Sequence, residues 1–363
     1  MNNFLGIINL DEDERNMGEL VKKRNLAATP ILARYRVIDF VLSNMTNSGI
    51  ENINIFVKKN SRALVDHLKN GRPWDLHRRN GLRLFNFSNE DPAYDDIHAF
   101  ADNLEFLKNS NKKYVLLAPS YMICNIDYTK VIKEHERLGN DITLVYKKTN
   151  KAKEFFVNCD VLNINENRKL VSVEKNTGSA SNKNISMEMY IMSTDLFIDI
   201  VLKSIRNGLY KKVKEYISKN VDKLNIRCYE FEGYVACVNS LNSYYKINME
   251  LLNKKIRNEL FDKDRPILTK TKDEGPTIYT DDSEVKNSII ANGCYIEGEV
   301  KNSIIGRRVH IKKGCKIEDS IILQNSDINK NVRLSNVITD KGAKVEEFEC
   351  FIGAQDKPVV IGK

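Results

Sequence analysis

The sequence has no apolar stretch of about 18 residues, the length a bilayer-crossing helix needs, so no membrane span is expected. Its opening residues, MNNFLGIINLDED, carry neither a basic flank nor a small-residue cleavage site. A secretory leader is therefore not expected, and the chain is expected in the cytoplasm. The seven cysteines are scattered, with no CxxC pair and no Cys/His cluster. That spacing does not fit zinc ligation or a dithiol motif and suits thiols in a reducing compartment. Aromatic residues do not interleave with the lysines. The net charge of +8 could suit nucleic acid, but anionic small molecules or an acidic partner account for it as well, and no nucleic-acid partner is expected.

What is present fits a globular protein of two domains: 363 residues, 42% hydrophobic and 29% charged. Residues 4–10 form an apolar run suited to a buried first strand. Asp11, Glu12, Asp13 and Glu14 follow, and such a run reads as a solvated turn opening the next helix. Residues 34–50, RYRVIDFVLSNMTNSGI, read as a basic turn, a short helix and a stop. Asp39 stands where an N-cap is wanted and Gly49 where the helix should end. The alternation in residues 51–60 then describes a strand. Residues 113–119 form a continuous apolar strand whose carboxyl end should face the crevice of a doubly wound sheet. Asp127 should cap a helix that Gly139 ends, with His135 at its surface. A hairpin is expected to turn at residues 165–167, followed by helices over 194–207 and 213–220 and strands over 225–230 and 234–239.

Beyond residue 277 the texture becomes repetitive. Asn287-Ser288-Ile289-Ile290, Asn302-Ser303-Ile304-Ile305, Asp319-Ser320-Ile321-Ile322 and Ser335-Asn336-Val337-Ile338 start 15, 17 and 16 residues apart. Ile305, Ile311 and Ile317, and again Ile322, Ile328 and Leu334, are six residues apart. An aliphatic hexapeptide period describes a left-handed parallel β-helix of about four coils, in which each coil stacks on the next. The expected division is an α/β domain over 1–252, a linker over 253–277 that holds Pro266 and Pro276, and the β-helix over 278–363.

Residues 34–50 closely resemble a segment of glucose-1-phosphate adenylyltransferases that runs [KR]-[YF]-R-I-I-D-F-x-L-S-N-x-x-N-S-G-I. The resemblance implies a Rossmann-like nucleotidyltransferase domain ahead of the β-helix, and it makes the departures informative. The family's phosphate loop, roughly A-G-G-x-G-x-R-L, corresponds here to Leu10–Met17, where Asp11, Glu12, Asp13 and Glu14 replace the glycines. A carboxylate about 6 Å from a phosphate costs about 3 kcal/mol at an effective dielectric near 20. The family's lysine falls on Leu26, and its Gly-Gly pair on Leu32 and Ala33. Its W-Y-x-G-T-A-D-A motif falls on residues 92–99, PAYDDIHA. The two aspartates that hold Mg²⁺ fall on Ser120 and Cys237, neither of which replaces an ionised oxygen ligand for a hard cation.

Other positions stay closer to the family. Ser172-Val173-Glu174-Lys175 is similar to F-V-E-K-P, and Ser186-Met187-Glu188-Met189-Tyr190 to S-M-G-[IN]-Y. The resemblance thus implies Glu174, Lys175 and Ser186 as sugar-phosphate positions. Arg34 and Arg36 are implied as a site for phosphorylated effectors.

Loss of loop, lysine and both aspartates together resembles the GlgD-type subunit of this family. The implied function is a non-catalytic, regulatory subunit that supports ADP-glucose synthesis for bacterial glycogen. The resemblance implies no cofactor in this chain, with Mg²⁺ expected in a catalytic partner, and a hetero- or homo-oligomer such as a tetramer. Two alternatives are an active adenylyltransferase with a rebuilt site and a hexapeptide-repeat acyltransferase. The second needs a catalytic histidine on the coils, where only His310 is available and is expected to face outward.

Overall fold

The computed structural model describes residues 3–86 and 95–362. The chain packs as two compact units. The first comprises the residues up to Glu12, then Phe40–Cys237 and Asp262–Leu268, and the second Asp13–Asp39, Val238–Phe261 and the residues from Thr269 on.

The first unit is built on a nine-stranded mixed sheet. One path across it runs Leu170–Lys175, Asp160–Ile164, Lys183–Ser193, Tyr114–Ala118, Phe4–Asn9, Asn52–Val57 and Leu82–Asn86. Ile142–Thr149 pairs with Lys183–Ser193 and with Ile226–Glu230. Phe4–Asn9 lies parallel to both Asn52–Val57 and Tyr114–Ala118. It is covered on both faces, which is why it is a continuous apolar run without alternation. Gly6 lies in this strand because a Cβ there would come within 2.8 Å of Met45 Sδ. Phe56 packs edge-on against Phe100, and Phe100 against Phe197, at 4.8 and 5.1 Å between ring centres.

The helix expected to start at Asp39 begins earlier and spans Val37–Asn47. Asp39 sits in its first turn and accepts the Arg36 N–H at 2.9 Å, so it caps from inside the helix. Gly49, at φ 74°, takes the left-handed conformation expected beyond a helix end. The helix Tyr128–Leu138 has the expected ends, with the Asp127 side chain accepting the Thr129 N–H and Gly139 left-handed. His135 corrects the reading: it is buried and within 2.9 Å of Thr143 Oγ1. It shares a face with Tyr128, Val131 and Ile132, and burial pushes its pKa down.

In the second unit three five-stranded parallel sheets are visited in rotation, so each circuit returns one strand further on. Five circuits are present where about four were expected. Ile289, Ile304, Ile321, Ile338 and Val360 stand in register on one sheet. The fourth tetrad is therefore Asn336-Val337-Ile338-Thr339, one residue later than the pattern suggested. The tetrads open at turns: Asn287, Asn302, Asp319 and Asn336 have φ of 43°, 46°, 46° and 52°. Asn and Asp tolerate that left-handed region better than other side chains do, which explains the repeat's wording. Ile296, Ile311, Ile328 and Val345 are buried in line on a second sheet, and Val300, Ile317 and Leu334 on the third. His310 is exposed on its strand, as expected.

On the isoleucine sheet Ile304, Ile321 and Ile338 are buried, whereas Ile289 and Val360 at its two edges are half-buried. The Tyr245 O–H, on the helix Leu241–Glu250, donates to the Asp319 carbonyl at 2.6 Å and lies 2.9 Å from Asn336 Oδ1. Arg24 pairs with Asp340 at 2.7 Å, both buried. The segment expected as a linker starts with a helix, Lys254–Leu260. Residues 262–268 belong to the first unit, where Arg265 Nη2 donates to Ser48 Oγ at 3.1 Å and to the Ile126 carbonyl at 2.8 Å. Among the described residues no helix is long and apolar enough to cross a membrane.

Candidate functional site

The acidic run is not a solvated turn. Asp11 follows the first strand and pairs with Lys58 at 3.3 Å and Lys212 at 3.1 Å. Glu12 accepts the Ser120 backbone N–H at 2.6 Å and the Ser120 hydroxyl at 2.8 Å. Asp13 pairs with Arg15 at the surface. Glu14 is buried and accepts the Leu26 N–H at 2.5 Å. The carboxylates are thus held by the chain's own donors, from residues as distant in sequence as Lys212.

Ser120 is fully buried beyond the end of the Tyr114–Ala118 strand. Cys237 ends the strand Val235–Cys237, also buried, with its Sγ 3.4 Å from Cys159 Sγ. The hydrogen bond to Cys159 pushes the Cys237 pKa up, and burial pushes it further, so the thiol stays protonated. A hydroxyl already given to Glu12 and a protonated thiol do not fit Mg²⁺, and no metal-ligand cluster occurs among the described residues.

Glu174, Lys175 and Ser186 line one cavity of about 350 Å³. Asp160, Lys212 and Lys214 line it as well. Lys175 pairs with Asp160 at 2.5 Å, while Lys214 reaches Glu188 at 2.7 Å and Asp160 at 3.5 Å. Burial alone would lower the Lys214 pKa, but Glu188 and Asp160 outweigh it and raise it. For Asp160 burial works upward, and Lys214 and Lys175 carry the net shift downward. Glu188 holds its place at φ 53°, where the resembling motif has glycine. The lysines on the 212–214 segment escaped sequence reading because they are about 25 residues from the nearest motif; the run KKVK was the only signal.

Of the residues 92–99 aligned with the family's nucleotide motif, 92–94 lie outside the described residues. Asp95 caps the helix Asp96–Ala101 by accepting the His98 N–H. Asp96 is buried and accepts from Asn9 Nδ2 at 3.1 Å. Burial raises its pKa well above the usual carboxylate range, against the pull of Lys212.

Leu32 and Ala33, aligned with the Gly-Gly pair, keep glycine-like backbones at φ 47° and 63°. The Leu32 N–H is fixed by Asn248 Oδ1 at 3.0 Å. Arg34 is exposed, its guanidinium 5.5 Å from the Tyr35 ring centre. Arg36 turns inward and donates to the Ala28 carbonyl. Burial lowers its pKa to about 10, with Arg24 and Arg307 adding to the drop against Asp39. Arg307 is lowered by burial and then by Arg34, and Lys272 by burial and then by Arg308, Arg307 and Lys341. These cations of the second unit depress one another, and an anion would relieve that repulsion. Arg307, Arg308 and Lys272 come from the repeat region and the segment before it, far from the Arg34 motif.

Comparison with known proteins fits this geometry. Residues 19–254 match the family model described as nucleotidyl transferase, and residues 277–357 the model described as GlmU-like, C-terminal hexapeptide. The chain is 35% identical over 366 residues to the glycogen biosynthesis protein GlgD of Bacillus subtilis (strain 168), covering 100% of this chain and 96% of that protein. It is 36% identical over 322 residues to the GlgD of Geobacillus stearothermophilus, covering 87% of this chain and 83% of the relative. It is 32% identical over 310 residues to a glucose-1-phosphate adenylyltransferase of Mycoplasma mobile, covering 83% and 80%. A Rossmann-like nucleotidyl transferase fold, with a parallel-sheet region after it, places the chain in the nucleotidyltransferase family of glucose-1-phosphate adenylyltransferase and GlgD.

Proposed function

We propose that this chain is a non-catalytic, regulatory GlgD-type subunit of glucose-1-phosphate adenylyltransferase, acting in the cytoplasm in bacterial glycogen synthesis. The observation that carries the reading is Glu12 on Ser120: a carboxylate fills the position where the family's metal aspartate and phosphate loop would meet. An added triphosphate would meet that charge with no glycine loop to cradle it. Cys237, at the second metal position, supplies no charge either.

In this reading the chain binds a catalytic adenylyltransferase subunit, which carries Mg²⁺, in a tetrameric hetero- or homo-oligomer. The functional division is an α/β domain over 1–252, a linker over 253–277 and a left-handed parallel β-helix over 278–363, whose ends meet partner subunits. The cavity bearing Glu174, Lys175 and Ser186 takes a sugar phosphate, and the cations around Arg34 and Arg36 take a phosphorylated effector. Neither nucleic acid nor membrane is a partner.

The purified chain with ATP, Mg²⁺ and glucose 1-phosphate is expected to release no pyrophosphate above background. Ser120→Asp with Cys237→Asp should not restore turnover, since loop and lysine stay absent. Robust turnover by the unmodified chain overturns the proposal.

A further inference from the structure

We propose that Cys159 and Cys237 form a redox pair, which a peroxide converts into an intrachain disulfide and a dithiol restores. Their sulfurs are 3.4 Å apart. A disulfide needs about 2.05 Å, so a movement of about 0.7 Å by each sulfur closes it. Both side chains are held by ordered backbone. The Cys159 N–H donates to the Phe156 carbonyl at 3.1 Å and its carbonyl accepts the Asn176 N–H at 2.8 Å. Cys237 lies in register with Met122 on the neighbouring strand. Nothing in the proposed function uses either thiol.

The chemistry balances with hydrogen peroxide as the oxidant. Cys159 keeps 6% exposure and Cys237 none, so the water-sized oxidant meets Cys159 first. The Cys159 sulfur attacks one peroxide oxygen, the O–O bond breaks and the departing hydroxide takes the Cys159 proton, giving a sulfenic acid and one water. The Cys237 sulfur then attacks the Cys159 sulfur. The S–O bond breaks, and the departing oxygen takes the Cys237 proton and leaves as a second water. Two thiols and one peroxide thus give one disulfide and two waters.

The bridge would tie the strand Val235–Cys237 to the turn just before Asp160, the carboxylate that holds Lys175 and Lys214. It would join residues 78 apart and fix one wall of the cavity that Asp160 lines. Cys350, exposed on the last circuit, serves as an internal control for general thiol oxidation.

The full-length chain is treated with graded hydrogen peroxide, alkylated under denaturing conditions, digested and mapped by mass. One Cys159–Cys237 bridged peptide per chain is expected, with a higher melting temperature, and dithiothreitol should reverse both. In Cys237→Ser the bridge should vanish and Cys159 should become reactive to dimedone. Wild-type mapping decides alone if that variant does not fold. Oxidation of Cys350 while Cys159 and Cys237 stay fully alkylated overturns the proposal, as does a bridge between any other pair.

Discussion

Glu12 accepts both the backbone N–H and the hydroxyl of Ser120, 108 residues further along the chain, at 2.6 and 2.8 Å. This contact closes the end of the first strand against the end of the Tyr114–Ala118 strand. Replacing Glu12 by Ala leaves the buried Ser120 donors without that acceptor. The expected loss is about 1–3 kcal/mol of unfolding free energy by urea titration, with Glu12→Gln losing less.

Leu32 and Ala33 offer a paired test of backbone strain. Both are left-handed and both are buried. Ala33→Gly removes the Cβ that makes this conformation costly and gives up little burial. It is expected to stabilise the chain by up to about 1 kcal/mol. Leu32→Gly loses an entire buried side chain, worth about 1.5–3 kcal/mol, and should destabilise. Melting temperatures of the two variants should move in opposite directions.

Asp96 sets a pH dependence. Its pKa is raised in the folded chain, so above the unfolded value of about 3.9 the folded state binds more protons than the unfolded one. Its contribution therefore falls as pH rises from about 4 toward the folded pKa, and the loss persists at neutral pH. Asp96→Asn keeps an acceptor for Asn9 and removes the titration. The variant is expected to be more stable than the parent at pH 7 and equal to it near pH 3. Denaturant midpoints across pH check this.

Arg24 and Asp340 form a buried ion pair 316 residues apart in sequence. Arg24→Ala leaves Asp340 as a buried charge without its partner and is expected to cost about 3–5 kcal/mol. The double variant with Asp340→Ala should recover part of that loss, since no unpaired charge remains. A double-mutant cycle by chemical denaturation measures the coupling.

How much was legible in the sequence depended on how local the cause was. The isoleucine tetrads and the Asn and Asp residues that open them recur at short range, so the parallel-sheet region could be read directly. Its fourth tetrad slipped by one because the apolar pair at Val337 and Ile338 masks that Ile338 stacks on Ile321. His135 was misplaced because its immediate neighbours are charged, whereas helical spacing puts it with Tyr128, Val131 and Ile132. The carboxylates of Asp11, Glu12 and Glu14 were visible, but their partners Lys58, Lys212, Ser120 and Leu26 are brought to them only by the fold. The departures from the resembling motifs at Ser120 and Cys237 were visible in the sequence; the contacts those side chains make with Glu12 and Cys159 were not.

Arg307 should matter to anions as much as Arg34 does. Arg307→Ala and Arg34→Ala are each expected to weaken binding of inorganic phosphate or a sugar bisphosphate, measured by calorimetry, and to steepen neither isotherm. Removing Arg307 also relieves part of the repulsion that lowers Arg36 and Lys272. Unchanged phosphate isotherms for both variants would remove this cluster as an effector site.

The most direct measurement titrates this chain into a catalytically competent glucose-1-phosphate adenylyltransferase while pyrophosphate release is followed. A regulatory subunit that favours one conformation of its neighbour by about 1–3 kcal/mol shifts substrate or activator response about 5- to 150-fold. The account predicts saturable change in apparent substrate affinity or maximal rate, together with a mixed oligomer on gel filtration and no turnover by this chain alone. Separate elution of the two chains at micromolar concentration, with kinetics unchanged by a molar excess of this one, would contradict it.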